Sequence, residues 1–95
     1  MLTSKQKSFL RSMANPLPAY VQVGKDGISP NVIASLNQSL LAHELVKVSI
    51  LKSCPDPVQQ VALDLASATK SEVVQLIGKT LVFYKKSKEN KISLP

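Results

Sequence analysis

The stretch that most constrains the fold covers residues 21–30, VQVGKDGISP. Alternating apolar residues are followed by two glycines and then by Ser29 and Pro30, which favour the N-cap and first position of a helix. The pattern therefore predicts a strand, a tight loop and a helix in direct succession. Gly24 and Gly27 can take positive φ, and without a Cβ they let another molecule approach the backbone closely.

This loop is a candidate phosphate-binding site, because the N–H groups and the positive dipole end of a helix N-terminus favour an anion. Lys25 adds a cation to the loop and Asp26 adds an opposing charge. The structural alternative is a plain turn followed by a helix cap. The spacing fits neither a Walker loop nor a dinucleotide-binding fingerprint, which require further residues.

The length and charge of the chain limit the class of protein. Ninety-five residues are enough for one domain with one small core, so a single domain over residues 1–95 is expected. Twelve Lys and Arg against six Asp and Glu give a formal charge of +6. A small domain of that charge is typical of proteins that bind a polyanion, most often nucleic acid.

Reactive side chains are few. One cysteine, Cys54, and one histidine, His43, cannot form a disulfide within the chain or supply a zinc site. No paired carboxylates and no nucleophile–base set stand out. We therefore expect a non-enzymatic protein without metal, cofactor or small-molecule substrate. The sequence shows neither a leader nor an apolar run of membrane length, so a cytoplasmic protein without membrane contact is expected.

The periodicity predicts three helices and four strands. Helices are expected at about residues 4–14 and from Pro30 to His43, with a third capped by Asp56 and starting at Pro57. Strands are expected at 20–23 and 45–52, and a hairpin joins 73–77 to 80–85 through a type II′ turn with Gly78 first. The order α-β-α-β-α-β-β predicts an α/β protein, an α+β two-layer sandwich with a four-stranded mixed sheet.

Strand alternation assigns side chains to the two faces of this sheet. The valines of the first two strands, with Val74 and Leu76, are expected to face helices. Tyr20, Gln22, Lys47, Ser49 and Gln75 are expected on the other face. That second face is then either open and polar or covered only by the first helix.

The basic residues fall in three segments, namely the first helix, the glycine loop and the hairpin with the tail after it. They are Lys5, Lys7, Arg11, Lys25, Lys79, Lys85, Lys86, Lys88 and Lys91. If the fold brings these segments together, the domain has one basic surface. Tyr84 could offer its ring to a base, although core packing is the alternative. Residues 86–95 are predicted to be a mobile basic tail.

Four segments of the chain together resemble the YhbY-like CRM (chloroplast RNA splicing and ribosome maturation) domain, in its Gram-positive bacterial branch. They are LT-KQK-LR near the start, VQVGKDG at 21–27, ELVKV at 44–48, and VQLIGKTLVFY at 74–84. The resemblance keeps the motif order over nearly the whole chain. Asp26 stands where Asn is common, and Lys85 where Arg is common, which loses a bidentate donor.

The resemblance implies an RNA-binding domain similar in fold to the C-terminal domain of a bacterial translation initiation factor. It maps the GxxG loop of KH domains onto residues 24–27. It also implies association with large-subunit ribosomal RNA or pre-ribosomal particles and a role in ribosome assembly. The expected RNA-binding residues are Gly24, Lys25, Asp26, Gly27, Lys5, Lys7, Arg11, Lys79, Tyr84 and Lys85.

Two other functions stay open at this point, a DNA-binding protein and a basic adaptor for an acidic protein partner. A DNA reader would be expected to carry cations with Asn or Gln on a recognition helix. The second helix has Asn31, Asn37 and Gln38 but no Lys or Arg. A monomer is the expected state.

Overall fold

The computed structural model describes residues 2–89 and 91–94. Met1, Asn90 and Pro95, which the predicted domain or tail includes, lie outside the described residues. The elements are α1 (Ser4–Ala14), β1 (Ala19–Val23), α2 (Pro30–His43), β2 (Leu45–Ile50), α3 (Val58–Thr69), β3 (Glu72–Ile77) and β4 (Thr80–Tyr84). The predicted order of helices and strands is confirmed.

The four strands form one mixed sheet in the order β1-β2-β4-β3. β1 and β2 are parallel, while β4 pairs antiparallel with both β2 and β3. In the hairpin turn Gly78 has φ +57° and Lys79 is not among the residues of positive φ, as a type II′ turn requires. The carboxyl ends of β1, β2 and β3 therefore share one edge of the sheet.

Helices cover both faces of the sheet. On one face, α2 and α3 bury Leu36, Val61 and Leu65 against Val48 and Phe83. Burial of each such side chain stabilises the fold by roughly 1.5–3 kcal/mol. The other face is covered by α1, and a smaller core forms there from Leu10, Ala14, Leu45, Val74, Val82, Tyr84 and Ile92. Of the two possibilities for this face, cover by the first helix is the observed one.

Two sequence predictions need correction. Pro57, not Asp56, is the N-cap of α3, and no side chain caps that helix, so Val58 takes the first position. The register of β3 against β4 shifts between Val73 and Gln75. This irregularity places Val73 on the α2–α3 side and turns Val74 into the α1-side core, opposite to the predicted face.

Helix starts were better predicted where a side chain caps them. Thr3 and Gln6 form a capping box at α1, and Ser29 accepts a hydrogen bond from the Val32 N–H at α2. Within the described residues, no helix is both long enough and apolar enough to cross a bilayer.

Candidate functional site

Three loops meet at the edge formed by the carboxyl ends of β1, β2 and β3. The Leu51 N–H donates to the Val23 carbonyl at 2.8 Å, which joins the glycine loop to the loop after β2. The Ile50 N–H donates to the Lys79 carbonyl at 2.7 Å, which joins the hairpin turn to the same place. We call this region the loop edge; it comprises residues 24–29, 51–57 and 78–79. Adjacent strands lie about 4.8 Å apart, so its backbone spans about 10 Å from β1 to β4.

The glycine loop begins with a tight turn. The Gly27 N–H donates to the Gly24 carbonyl at 2.9 Å, so Lys25 and Asp26 occupy the two central positions. Both side chains are exposed. Gly27 has φ +62°, while Gly24 is not among the residues of positive φ, so only the second glycine needs its conformational freedom here. The turn presents one cation and one carboxylate at its tip.

The missing side chains of these glycines point toward the neighbouring loop of the protein. A Cβ on Gly24 would contact Leu51 Cδ1 at 3.4 Å, and a Cβ on Gly27 would meet Asp56 Oδ2 at 3.0 Å and Pro55 Cγ at 3.7 Å. Residues 51–56 pack against the turn. This packing explains why glycine is needed at position 27 and partly explains it at position 24. Close approach of RNA to either glycine stays a prediction.

The N-terminus of α2 has few free donors. Pro30 has no N–H, Ser29 Oγ accepts from the Val32 N–H at 3.2 Å, and the Ser29 carbonyl accepts from the Ile33 N–H at 3.0 Å. The amide of Asn31 is left as the donor of this first turn. An anion held here would depend mainly on side-chain cations, and less on the row of bare amides that the sequence predicted.

Lys52 is a residue of the loop edge that the sequence analysis missed. It is exposed and lies between Leu51 and Ser53, the two residues nearest to the Gly24 position. A signal was available, since a parallel β1–β2 pair must bring the residues after both strands to one edge. Lys25, Lys52 and Lys79 thus lie on three adjacent loops.

The remaining predicted cations lie elsewhere. β4 lies between Lys79 and Lys85, and six residue steps of extended chain separate these two by about 20 Å. Lys85 lies at the opposite end of the sheet, where an open cleft of about 490 Å³ is lined by Leu2, Gln6, Lys70, Glu72, Lys85 and Lys86 among others. We call this the basal cleft. The predicted single basic surface is therefore wrong: the structure separates the lysines into two groups.

The first turns of the first helix lie beside the basal cleft. Gln6 lines the cleft, and Lys5 and Lys7 are its neighbours in sequence, in the first turns of α1. Arg11 lies farther along the helix and donates from Nη2 to Ser8 Oγ at 2.9 Å. None of these three cations lies in the loops that form the loop edge.

Tyr84 does not offer an exposed ring. Its side chain is only 5% exposed and belongs to the α1-side core. Among the described residues its hydroxyl is the one buried side-chain polar atom without a hydrogen-bond partner. Burial raises its pKa, with smaller contributions from the charges of Glu44 and Glu72, so the hydroxyl stays protonated. The predicted stacking of Tyr84 on a base does not fit this placement.

Glu44 fixes the segment that was predicted to be a mobile tail. The residue is 0% exposed and has φ 65°. Its Oε2 accepts from the Ser87 hydroxyl, from the Ser87 N–H at 2.9 Å and from the Lys91 N–H at 3.0 Å, and its Oε1 accepts from the Ile92 N–H at 2.8 Å. Ser87, Lys91 and Ile92 are thus tied to the end of α2, contrary to the prediction of a mobile tail.

These donors also decide the ionisation of Glu44. Burial alone raises its pKa, but the hydrogen bonds from the Ser87 side chain and from the Ser87, Ile92 and Lys91 amides outweigh it and lower the pKa to about 2. The carboxylate is therefore charged at neutral pH and holds the chain that follows Lys85 and Lys86.

Comparison with known proteins identifies the family. The model of the CRS1/YhbY (CRM) domain matches residues 2–85. The chain belongs to the CRM domain family. This CRM domain is 50% identical over 96 residues to the Bacillus subtilis protein named probable RNA-binding protein YqeI, with all of both chains covered. It is 37% identical to a Haemophilus influenzae protein named RNA-binding protein, with 99% of this chain and 95% of the relative covered.

A solved structure has the same fold. The solution structure of the hypothetical protein SAV1595 from Staphylococcus aureus superposes on this CRM domain with a TM-score of 0.85 at 46% identity, and both chains are fully covered. The predicted family and fold class are confirmed. The expectation of a binding protein rather than an enzyme agrees with relatives that are named for RNA binding.

Proposed function

We propose that this CRM domain binds RNA without catalysing a reaction and that the loop edge is its main contact with the RNA backbone. The observation that carries the proposal is the 50% identity over the full chain with a Bacillus subtilis protein named for RNA binding. The formal charge of +6 supports it, because a polyanion is attracted to such a domain from solution.

The geometry of the loop edge suits a sugar–phosphate chain. Lys25, Lys52 and Lys79 lie on loops that two backbone hydrogen bonds hold side by side. Lysine provides point charges on flexible stems, which suit phosphates better than base edges. Asp26 and Asp56 lie on the same loops and reduce the net charge, so affinity at this edge should be modest. Sequence preference should be weak, and folded RNA would be recognised by shape and backbone.

The finer proposal concerns the target. We propose that the RNA is large-subunit ribosomal RNA in a precursor particle, that the protein assists ribosome assembly, and that it works in the cytoplasm. The resemblance to the YhbY-like domains supports this part. The proposed contacts at the loop edge are Gly24, Lys25, Asp26, Gly27, Lys52 and Lys79.

A competition assay tests both levels of the proposal. Fragments of large-subunit ribosomal RNA and bulk RNA of equal length compete for the labelled protein, and a fragment should win by a factor of about ten or more. Equal affinities would leave RNA binding intact and remove the ribosomal target. Sedimentation of a cell lysate then shows whether the protein travels with immature large subunits or stays at the top of the gradient.

The DNA-binding and adaptor alternatives predict different results in binding and pull-down experiments. Tighter binding to a DNA duplex than to RNA of the same sequence would favour a DNA-binding protein. A partner that stays bound after ribonuclease treatment would favour an adaptor. We expect neither, because the relatives matched over their whole length are named for RNA.

A further inference from the structure

A group of cations lies at the end of the sheet opposite to the loop edge. Lys70 caps α3, and Lys85 and Lys86 follow β4, so the three come from two separate parts of the chain. All three line the basal cleft, where Glu72 is the one side-chain carboxylate among the described lining residues. Gln6 on α1, which also lines the cleft, lies between Lys5 and Lys7 in sequence. The cleft is thus more positive than the loop edge, whose three lysines share their loops with two aspartates.

We propose that the basal cleft is a second RNA-binding site, which takes a separate segment of sugar–phosphate backbone while the loop edge holds another. This inference rests on the proposed RNA binding and extends it: the protein would hold two segments of RNA at once, about 20 Å apart.

The walls of the cleft are fixed by the fold. The Lys85 N–H donates to the Glu44 carbonyl at 2.9 Å, and the next residue but one, Ser87, donates to the Glu44 carboxylate. Lys85 and Lys86 are therefore presented on backbone that is anchored on both sides. Lys70 is held in a left-handed conformation, φ 55°, at the end of α3. Because this backbone is already ordered, only the side chains of these lysines lose conformational entropy when they bind a phosphate.

The size and lining of the cleft suit a nucleotide unit. A volume of about 490 Å³ lies within the usual range of small-ligand sites, roughly 300–1,000 Å³. Leu2 and Leu94 supply apolar surface for a ribose or base, and the lysines supply charge for the flanking phosphates. Gln6 is the one side-chain amide among the described lining residues, and its Oε1 already accepts from the Thr3 N–H at 3.0 Å, so this site should also show weak sequence preference.

The two groups of cations should act independently. Their separation of about 20 Å exceeds the Debye length of about 8–10 Å at physiological salt. One cation between them, Lys47 on β2, already donates to the Asn15 carbonyl at 3.3 Å. A phosphate chain held at one end thus gains little from the charges at the other.

Amide chemical shifts measured during titration with a short single-stranded RNA test the proposal. In the unmodified protein, shifts are expected at residues 70–72 and 84–86 as well as at 24–27 and 51–53. A Lys70→Glu, Lys86→Glu variant should lose the first set by at least about tenfold in affinity and keep the second within about twofold. A Lys25→Glu, Lys52→Glu variant should do the reverse. Lys88→Glu, an exposed charge reversal outside both sites, is the control, and it changes the net charge by half as much as either double variant.

The outcomes separate the two proposals. RNA shifts at the loop edge alone would overturn the second site and leave RNA binding intact. Loss of both sets of shifts in either double variant would also overturn it, because that result means one continuous contact. A protein that binds no RNA at all would refute the proposed function itself. The unperturbed amides of each variant show whether the fold is kept.

Discussion

Glu44 and Ser87, 43 residues apart in the chain, meet through two hydrogen bonds to one carboxylate oxygen, from the Ser87 N–H and from its hydroxyl. Glu44 is the C-cap of α2 and Ser87 follows β4. The contact therefore holds the segment after β4 against the end of α2, on the α1 side of the sheet. It brings Ile92 into the α1-side core and sets the backbone of the lysines before Ser87. A buried charge of this kind is tolerated because its donors replace the lost water.

Replacement of Glu44 by Gln should loosen the C-terminal segment. The amide keeps one acceptor but points an NH₂ group at backbone donors, so we expect a loss of about 1–3 kcal/mol in the free energy of unfolding. Amide exchange at Ser87, Lys91 and Ile92 should speed up more than exchange in β2. Glu89→Gln is the matched control, since that side chain is 75% exposed. Equal stability and unchanged exchange would show that the carboxylate contributes nothing.

The same carboxylate predicts a pH dependence of stability. Its pKa is lowered in the folded state from 4.5 to about 2, so the stabilisation is present above pH 4.5 and is lost as the pH falls toward 2. A tenfold change in proton affinity is worth about 1.4 kcal/mol. Complete loss of this stabilisation therefore lowers the free energy of unfolding by about 3 kcal/mol. Urea unfolding across this window should show the decrease, and the Glu44→Gln variant should show a shallower one. Parallel curves for both proteins would contradict the assignment.

Gly27 should tolerate a side chain less well than Gly78. Both glycines have positive φ, so alanine costs roughly 1–2 kcal/mol at either position from backbone strain alone. A Cβ at Gly27 also meets Asp56 Oδ2 at 3.0 Å, whereas nothing lies within 4 Å at Gly78. Gly27→Ala should therefore destabilise more than Gly78→Ala in chemical denaturation.

A second substitution isolates the contact with Asp56. Combining Gly27→Ala with Asp56→Ala removes the short contact and keeps the strain, so the combined loss should approach that of Gly78→Ala. If Gly27→Ala and Gly78→Ala cost the same, the packing of the loop after β2 on Gly27 is not a constraint.

The fold was largely predictable because its signals are local. Ser29 and Pro30 mark the start of α2, and Gly78 marks the hairpin turn, each through its own backbone preference. The start of α3 was misplaced since Asp56, a good cap by type, makes no capping hydrogen bond. The predicted face of Val74 was wrong because a shift in strand register cannot be recognised in an alternating apolar sequence.

The site was harder to predict because it depends on contacts distant in sequence. Charge counting found the lysines but not their division between the two ends of β4. The segment after Lys85 is polar and basic, which is typical of a mobile tail. Its local sequence does not indicate that three of its N–H groups donate hydrogen bonds to the Glu44 carboxylate. Tyr84 was considered for stacking although its burial follows from its place on a central strand.

Tyr84→Phe should leave RNA binding at the loop edge unchanged and should not destabilise the protein. The hydroxyl is buried without a partner among the described residues, so its removal relieves a desolvation cost and could raise stability by about 1 kcal/mol. Thermal unfolding and an RNA titration measure the two effects. Tyr20→Phe is the comparison, since that ring stacks on His43 with centroids 4.4 Å apart and is more exposed. A marked loss of affinity in Tyr84→Phe would restore a direct role for this hydroxyl.

Lys25→Ala and Lys52→Ala should each weaken RNA binding to the same degree for different RNA sequences. Each removes one phosphate contact, so the slope of log K against log salt should become shallower by about 0.7–0.9 per substitution. The double variant should lose about twice that amount if both lysines contact phosphates at once. Binding titrations at several salt concentrations measure the slopes, with Lys88→Ala as the control that leaves the slope unchanged. An unchanged slope in Lys52→Ala would remove the loop after β2 from the interface, and a change confined to one RNA sequence would indicate base readout instead.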